Sequence, residues 1–155
     1  MTGAEGAFNF RRIDARLTTS GLLSPEQLAS LGGEGYEAVV DLLPAGDDWA
    51  VADEPRIVRD QGIEYVAIPV DFAAPTHDDL ERFYGVMDAL QGRTVHVHCA
   101  ANYRVSVFYG LYALARGQWT REQADALVHG LWDPGEYPAW ASFIADARDG
   151  GGEPA

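Results

Sequence analysis

The chain has 155 residues and carries 24 acidic side chains against 11 Lys and Arg, a formal charge of −13. That balance excludes a nucleic-acid-binding or anionic-membrane surface, since both need clustered Lys and Arg facing phosphate. Hydrophobic residues at 47% and charged residues at 23% suit one globular domain with a core of its own, and no apolar run approaches the ~20 residues of a membrane span.

Taken in chain order, residues 1–8 are small and polar and are expected to fray, residues 9–148 to fold as the domain, and residues 149–155, rich in glycine, to form a disordered tail. The opening MTGAEGAFNFRR lacks the basic start and apolar core of a secretory signal. Ser24, Pro25 and Gln27 stand at the N-cap, N1 and N3 positions of a short helix, which Gly32 and Gly33 close. Residues 36–43 are apolar and β-rich, the pattern of a buried strand. A helix over 52–60 stopped by Gly62 leads to a strand over 63–70. Thr76 caps the next helix, whose apolar residues Leu80, Phe83, Val86, Met87 and Leu90 follow the 3.6-residue period. After Gly92 the central strand runs over 93–98, and three helices follow at 104–116, 120–131 and 137–147. Strands alternating with helices predict an α/β fold: a single three-layer domain with a mostly parallel sheet flanked by helices. Ligands of such sheets bind beyond the carboxyl ends of the strands, and chain order puts Cys99 and Asp71 on that edge.

Residues 95–106, VHVHCAANYRVS, carry the chemistry. A strand ends at the only cysteine, a tight loop follows, and an arginine stands in the first turn of a long helix. A helix N-terminus presents unpaired N–H groups that hold anions and favour a thiolate over a thiol. An arginine there can grip an oxyanion with two parallel hydrogen bonds, whereas without an anion it opposes the helix dipole. Cys99 therefore reads as a nucleophile, Arg104 as its clamp, and the backbone of Ala100, Ala101, Asn102, Tyr103 and Arg104 as a phosphate cradle. Asn102 can adopt the left-handed conformation that a tight turn needs. As the lone cysteine, Cys99 cannot form an internal disulfide, which fits a reducing, cytoplasmic setting.

The stretch from His98 to Ser106 resembles the signature loop of cysteine-dependent protein tyrosine and dual-specificity phosphatases: histidine, cysteine, five residues, arginine, then serine or threonine. His98, Cys99 and Arg104 match by type. Here four residues separate Cys99 from Arg104, no glycine lies between them, and Val105 stands where the hydroxyl residue belongs. Ser106 keeps the family's cysteine-to-hydroxyl spacing. Residues 21–27, 36–42 and 65–71 resemble, in order and spacing, small bacterial phosphatase-like proteins of this type, and the similarity runs from about Gly21 to about Leu114. The resemblance implies a phosphotyrosine phosphatase-like fold and a phosphomonoester substrate, plausibly phosphotyrosine, cleaved through a thiophosphoryl-enzyme with no cofactor. It implies that Asp71 is the general acid, with Asp78 in reserve, and that His98 supports the loop. Ser106 would donate to the departing thiolate. Without the resemblance, Asp71 reads as a turn-capping acid and Ser106 as a helix serine bonded back to a carbonyl. The short loop also resembles that of rhodanese sulfurtransferases, and a phosphate-binding pseudophosphatase is the third reading. His96 and His98 share a strand face by alternation, so no metal site is expected, and protein partners are left open.

Overall fold

The computed structural model describes residues 3–151. Five strands form one sheet: β1 (Arg11–Arg12), β2 (Leu17–Ser20), β3 (Ala38–Asp41), β4 (Glu64–Ala67) and β5 (Val95–His98), in the order β1-β2-β5-β3-β4. Only β1 runs antiparallel, pairing with β2. The parallel register sets Ser20 and Asp41 on either side of His98, so the three residues form one row at the carboxyl edge. Among the described residues the helices are α1 (Pro25–Ser30), α2 (Glu54–Arg59), α3 (His77–Ala89), α4 (Tyr103–Ala115), α5 (Arg121–His129) and α6 (Pro138–Asp146), with short turns of other helical type between them.

Local chemistry sets most of these boundaries. Ser24 and Gln27 close a reciprocal capping box on α1, Thr76 accepts from the Asp79 N–H at the start of α3, and Thr120 and Gln123 repeat the capping box on α5. Gly62 and Gly92 adopt positive φ where the helices before them end. The elements stand where the hydrophobic pattern puts them, within two to three residues.

β1 and β2 escape that pattern. β2 reads Leu-Thr-Thr-Ser, which lacks an apolar alternation, yet all four residues are buried. It lies beside β5 because its polar side chains satisfy buried partners there. Tyr36 donates to Thr18, Thr18 donates to His96 Nδ1 at 2.7 Å, and His96 Nε2 donates to Ser20 Oγ at 2.8 Å, which donates to the Gly21 carbonyl.

Each face of the sheet carries a core. On one side Ala38, Val40, Val95 and Val97 meet Leu80 and Phe83 of α3, Phe108 and Tyr112 of α4, and Trp140 and Phe143 of α6. On the other Val39 meets Leu23, Leu28 and Leu31 around α1 and Val58 of α2. α4 is apolar all round and ten of its thirteen residues are buried, which makes it the central helix of the larger core. The N-terminal segment corrects one expectation. Residues 3–8 do not fray as a unit: Ala4–Gly6 forms a 3₁₀ turn, and Ala4 and Ala7 are buried in the smaller core, because small side chains fit the gap beside Leu28 and Leu31. The expected tail over 149–155 falls partly on 152–155, outside the described residues. Among the described residues no helix is long and apolar enough to cross a membrane.

Phe108 is fully enclosed, with Phe83, Trp140 and Phe143 rings 5.7 to 6.2 Å from its own. Phe108→Ala is expected to lower the unfolding free energy by about 3–5 kcal/mol. Urea unfolding followed by tryptophan fluorescence measures it, and a loss under about 1 kcal/mol would place Phe108 outside the core.

Candidate active site

β5 ends at His98 and α4 begins at Tyr103, so residues 99–102 make the whole turn. Asn102 takes the left-handed conformation, φ 67°. Its side-chain amide donates to the Asn9 carbonyl at 2.9 Å and to Thr19 Oγ1 at 3.0 Å. Asn9, also left-handed at φ 54°, returns a bond from its side-chain amide to the Ala101 carbonyl at 2.9 Å. Leu22 N–H holds the Ala100 carbonyl, and Cys99 N–H donates to the Ser20 carbonyl. The Ala100 and Ala101 carbonyls are thus both tied from the N-terminal fifth of the chain. Gly21 permits the approach: a Cβ there would lie 2.5 Å from the Ala100 carbonyl oxygen and 2.9 Å from Ala101 Cα.

Beyond Cys99, the N–H groups of the turn face no such partner. Among the described residues no acceptor takes a hydrogen bond from the backbone N–H of Ala100, Ala101, Asn102, Tyr103 or Arg104. Consecutive free N–H groups at the head of a thirteen-residue helix are the arrangement that suits an anion. Cys99 is fully enclosed at its start, and the half-buried Ala100, Ala101 and Tyr103 form the rim.

Arg104 sits in the first turn of α4 and is 7% exposed. Among the described residues it makes no hydrogen bond or ion pair, and its buried Nε has no acceptor. Its guanidinium lies over the Phe72 ring, 5.3 Å from the centroid. Phe72 follows Asp71, so the expected acid loop does pack against the signature loop. The Phe72 carbonyl accepts from Trp140 Nε1 at 2.7 Å, which fastens that loop to α6. Asp71 itself is exposed, and its Oδ1 accepts from the Ala73 N–H at 2.9 Å. Asp78 is exposed in the first turn of α3.

Ser106 differs from what the resemblance implies. Its hydroxyl donates to the Tyr103 carbonyl at 2.9 Å and accepts from Trp132 Nε1 at 3.1 Å, and it makes no hydrogen bond with Cys99 Sγ. The displaced register explains this: Ser106 lies one residue further into the helix than the arginine's neighbour and bonds back to a carbonyl. The Trp132 ring stacks on Tyr103 at 4.5 Å with an interplanar angle of 1°, and Phe72 closes the group.

Beneath the loop lies a buried charge cluster. His98 Nδ1 donates to the Cys99 carbonyl at 3.3 Å, and His98 Nε2 donates to Glu54 Oε2 at the head of α2. Asp41 Oδ1 lies 3.7 Å from His98 Nε2. Asp41 also accepts from Tyr65 OH at 2.6 Å and from the Leu43 N–H at 2.9 Å. Burial favours a neutral His98 ring, but the Asp41 and Glu54 carboxylates outweigh it and hold the ring protonated, with its pKa pushed up to about 10. Burial pushes the Glu54 carboxyl up, against the pull of His98. His96 goes the other way, driven well below its ordinary value by burial and by the charge on His98. Among the described residues, Asp41, Glu54 and His98 bring three potential metal-ligating atoms within 4.8 Å of one another. Each already has a hydrogen-bond partner in the protein, so the donor set is that of a proton-linked ion cluster rather than a metal centre. Glu54 and Asn9 carry no signal in the sequence, because each acts on residues more than forty positions away. Asp41 ends β3 at the carboxyl edge of the sheet, but the sequence did not single it out.

A thiol at the carboxyl edge of a parallel sheet, a free-amide turn and an unpaired arginine opening a buried helix define a cysteine-dependent phosphatase domain. The sequence model of dual-specificity-type tyrosine phosphatases described as fused to NAD+ kinase matches residues 3–126. The chain belongs to that family and is a hydrolase of the tyrosine phosphatase type. It is 33% identical to a candidate phosphatase of the DUF442 group from Shewanella putrefaciens CN-32, with a TM-score of 0.84 over 94% of this chain and 92% of that one. It is 26% identical, over 83% of its length, to a beta-lactamase hydrolase-like protein of Xylella fastidiosa, of which it spans 30%. P. aeruginosa TpbA, solved in complex with pTyr, shares the fold at 16% identity and a TM-score of 0.69, covering 88% of this chain and 83% of that one. Between the phosphatase and rhodanese readings that the loop length left open, the family answers for the phosphatase.

Gly21→Ala is expected to destabilise the protein by about 1–3 kcal/mol, since backbone atoms must move. It should also weaken inorganic phosphate binding, measured by calorimetry; unchanged stability and binding would show that the loop is not braced on β2. The His98 charge adds a pH dependence. A group whose pKa is raised on folding contributes stability that is whole below its unfolded value, ~6.5 for histidine, and is lost as pH climbs through its folded value, here about 10. The urea midpoint should therefore fall from pH 7 to pH 10 in wild type, and His98→Asn should flatten that slope. A wild-type midpoint that rises over this range refutes the charged ring.

Proposed function

We propose that the chain hydrolyses a phosphomonoester with an aromatic leaving group, of the phosphotyrosine type, through a thiophosphoryl intermediate on Cys99. The observation that carries this reading is the buried, unpaired Arg104 guanidinium at the head of α4, beside five consecutive free backbone N–H groups. A buried cation at the positive end of a helix is costly, and a bound dianion offsets both terms at once.

In the proposed mechanism, phosphate enters past Ala100, Ala101 and Tyr103 and the Cys99 thiolate attacks phosphorus. The loop N–H groups and Arg104 stabilise the equatorial oxygens, whose charge grows in the transition state. Asp71 donates a proton to the leaving oxygen, then takes one from the water that cleaves the S–P bond. Its Oδ2 is the oxygen that would carry this proton, since Oδ1 accepts from the Ala73 N–H. Phe72, Tyr103, Trp132 and the half-exposed Tyr137 suit an aromatic leaving group. One guanidinium in a strongly acidic protein suits a single phosphate rather than a polyphosphate. The lone thiol, which must stay reduced to act, supports a cytoplasmic setting.

Cys99→Ser is expected to abolish phosphate release from p-nitrophenyl phosphate while inorganic phosphate still binds. Arg104→Lys should nearly eliminate turnover, because a point charge cannot supply two parallel bonds. Asp71→Asn should lower kcat by ~10²–10⁴-fold on phosphotyrosine and much less on p-nitrophenyl phosphate, whose phenolate leaves unaided. Turnover that survives Cys99→Ser overturns the mechanism. Cyanide-dependent thiocyanate formation from thiosulfate that exceeds phosphate release would reinstate sulfur transfer.

A further inference from the structure

We propose that Glu54 is a positioning residue for the signature loop, acting through His98 on the Cys99 carbonyl. The proposal rests on the phosphatase reading for its kinetic arm only. Three observations carry it. Glu54 is the first residue of α2, far from the loop in sequence, and yet it is 3% exposed, a burial that carboxylates tolerate only when paired. Its partner is His98 Nε2, and the other nitrogen of that ring holds the Cys99 carbonyl. The helix that bears it has no side-chain N-cap of its own, because Asp53 forms none, so α2 is placed by long-range contacts that include this pair.

The linkage is directional. A neutral histidine has one N–H, and the other nitrogen carries a lone pair. Without a carboxylate on Nε2 the ring is free to take the tautomer whose Nδ1 lone pair faces the Cys99 oxygen, which would push the loop's first peptide away. A carboxylate on Nε2 keeps both N–H groups, so Nδ1 always donates. Asp41 of β3 supports the same charge, and Tyr65 of β4 and the Leu43 N–H hold Asp41 in place. On its own strand His98 faces only His96, 6.3 Å away ring to ring and neutral, with Thr18 and Ser20 taking its two nitrogens. The thiol of Cys99 belongs to the opposite core. Glu54 therefore touches neither substrate nor nucleophile. It sets the angle at which the loop leaves β5, and a loop displaced by an ångström loses rate rather than binding.

The test is a double-mutant cycle on the full chain with p-nitrophenyl phosphate. Glu54→Gln is expected to lower kcat by ~10–100-fold with KM changed less than threefold. Glu54→Asp should recover part of that loss. His98→Asn keeps a donor near the Cys99 carbonyl but cannot reach Glu54, so in that background Glu54→Gln should cost nothing further. Imidazole ¹⁵N spectra supply the second arm and need no turnover. Both His98 nitrogens should stay protonated from pH 6 to pH 8 in wild type and titrate within that range in Glu54→Gln. Additive losses in the cycle, an unchanged kcat in Glu54→Gln, or a wild-type ring that is neutral at pH 7 overturns the proposal. If Glu54→Gln does not fold, the wild-type spectrum decides alone. An inactive wild type whose His98 keeps both protons would refute the phosphatase reading and leave the Glu54–His98–Cys99 linkage standing.

Discussion

Between β5 and α4 the chain has four residues in which to leave the sheet, turn and start a helix, and Asn102 makes that possible by holding a φ of 67°. The conformation is strained for a residue with a side chain, so something must pay for it. Its amide does so by bonding Asn9 and Thr19, and Asn9 in turn grips Ala101. The outcome is a loop whose Ala100 and Ala101 carbonyls are held by Leu22 and Asn9, while among the described residues the N–H groups from Ala100 to Arg104 stay unpartnered. The row of free N–H groups, the helix start and the position of Arg104 all follow from this one braced turn. Gly21 completes the bracing by letting the loop lie against the end of β2 without a Cβ between them.

The two cations at the site are treated in opposite ways. His98 is buried and fully paired, with carboxylates from β3 and α2 on one nitrogen and a carbonyl on the other. Arg104 is buried, and among the described residues its one neighbour of note is the Phe72 face. An acidic protein has no shortage of carboxylates, and among the described residues Arg104 is kept from all of them, which is what supports the proposed phosphate site. The charge on His98 is met at the floor by Asp41 and Glu54. The two histidines of β5 divide along the same line, since His96, on hydroxyl partners alone, stays neutral two residues away.

Much of this was legible in advance. The capping residues Ser24, Thr76 and Thr120, the periodic face of α3 and the cysteine-to-arginine spacing are local features, and local features survive folding unchanged. β2 was not legible, because Thr18, Thr19 and Ser20 are buried to satisfy His96 and Asn102 rather than to hide apolar surface. Nor was the role of Ser106, whose spacing from Cys99 fits a thiol partner but whose place inside α4 commits the hydroxyl to Tyr103 and Trp132.

What the sequence by itself determined is the class of fold and the chemistry of the loop: strand, cysteine, turn and helix N-terminus lie within twelve residues, and the dipole, the free N–H groups and the arginine come from that order alone. What only the tertiary structure decided is how the loop is held and which charges surround it. Glu54, Asp41, Asn9 and Gly21 reach Cys99 and its neighbours through strand register and helix packing. Such contacts depend on how β2, β3 and α2 stack around β5, and no residue spacing encodes a stacking.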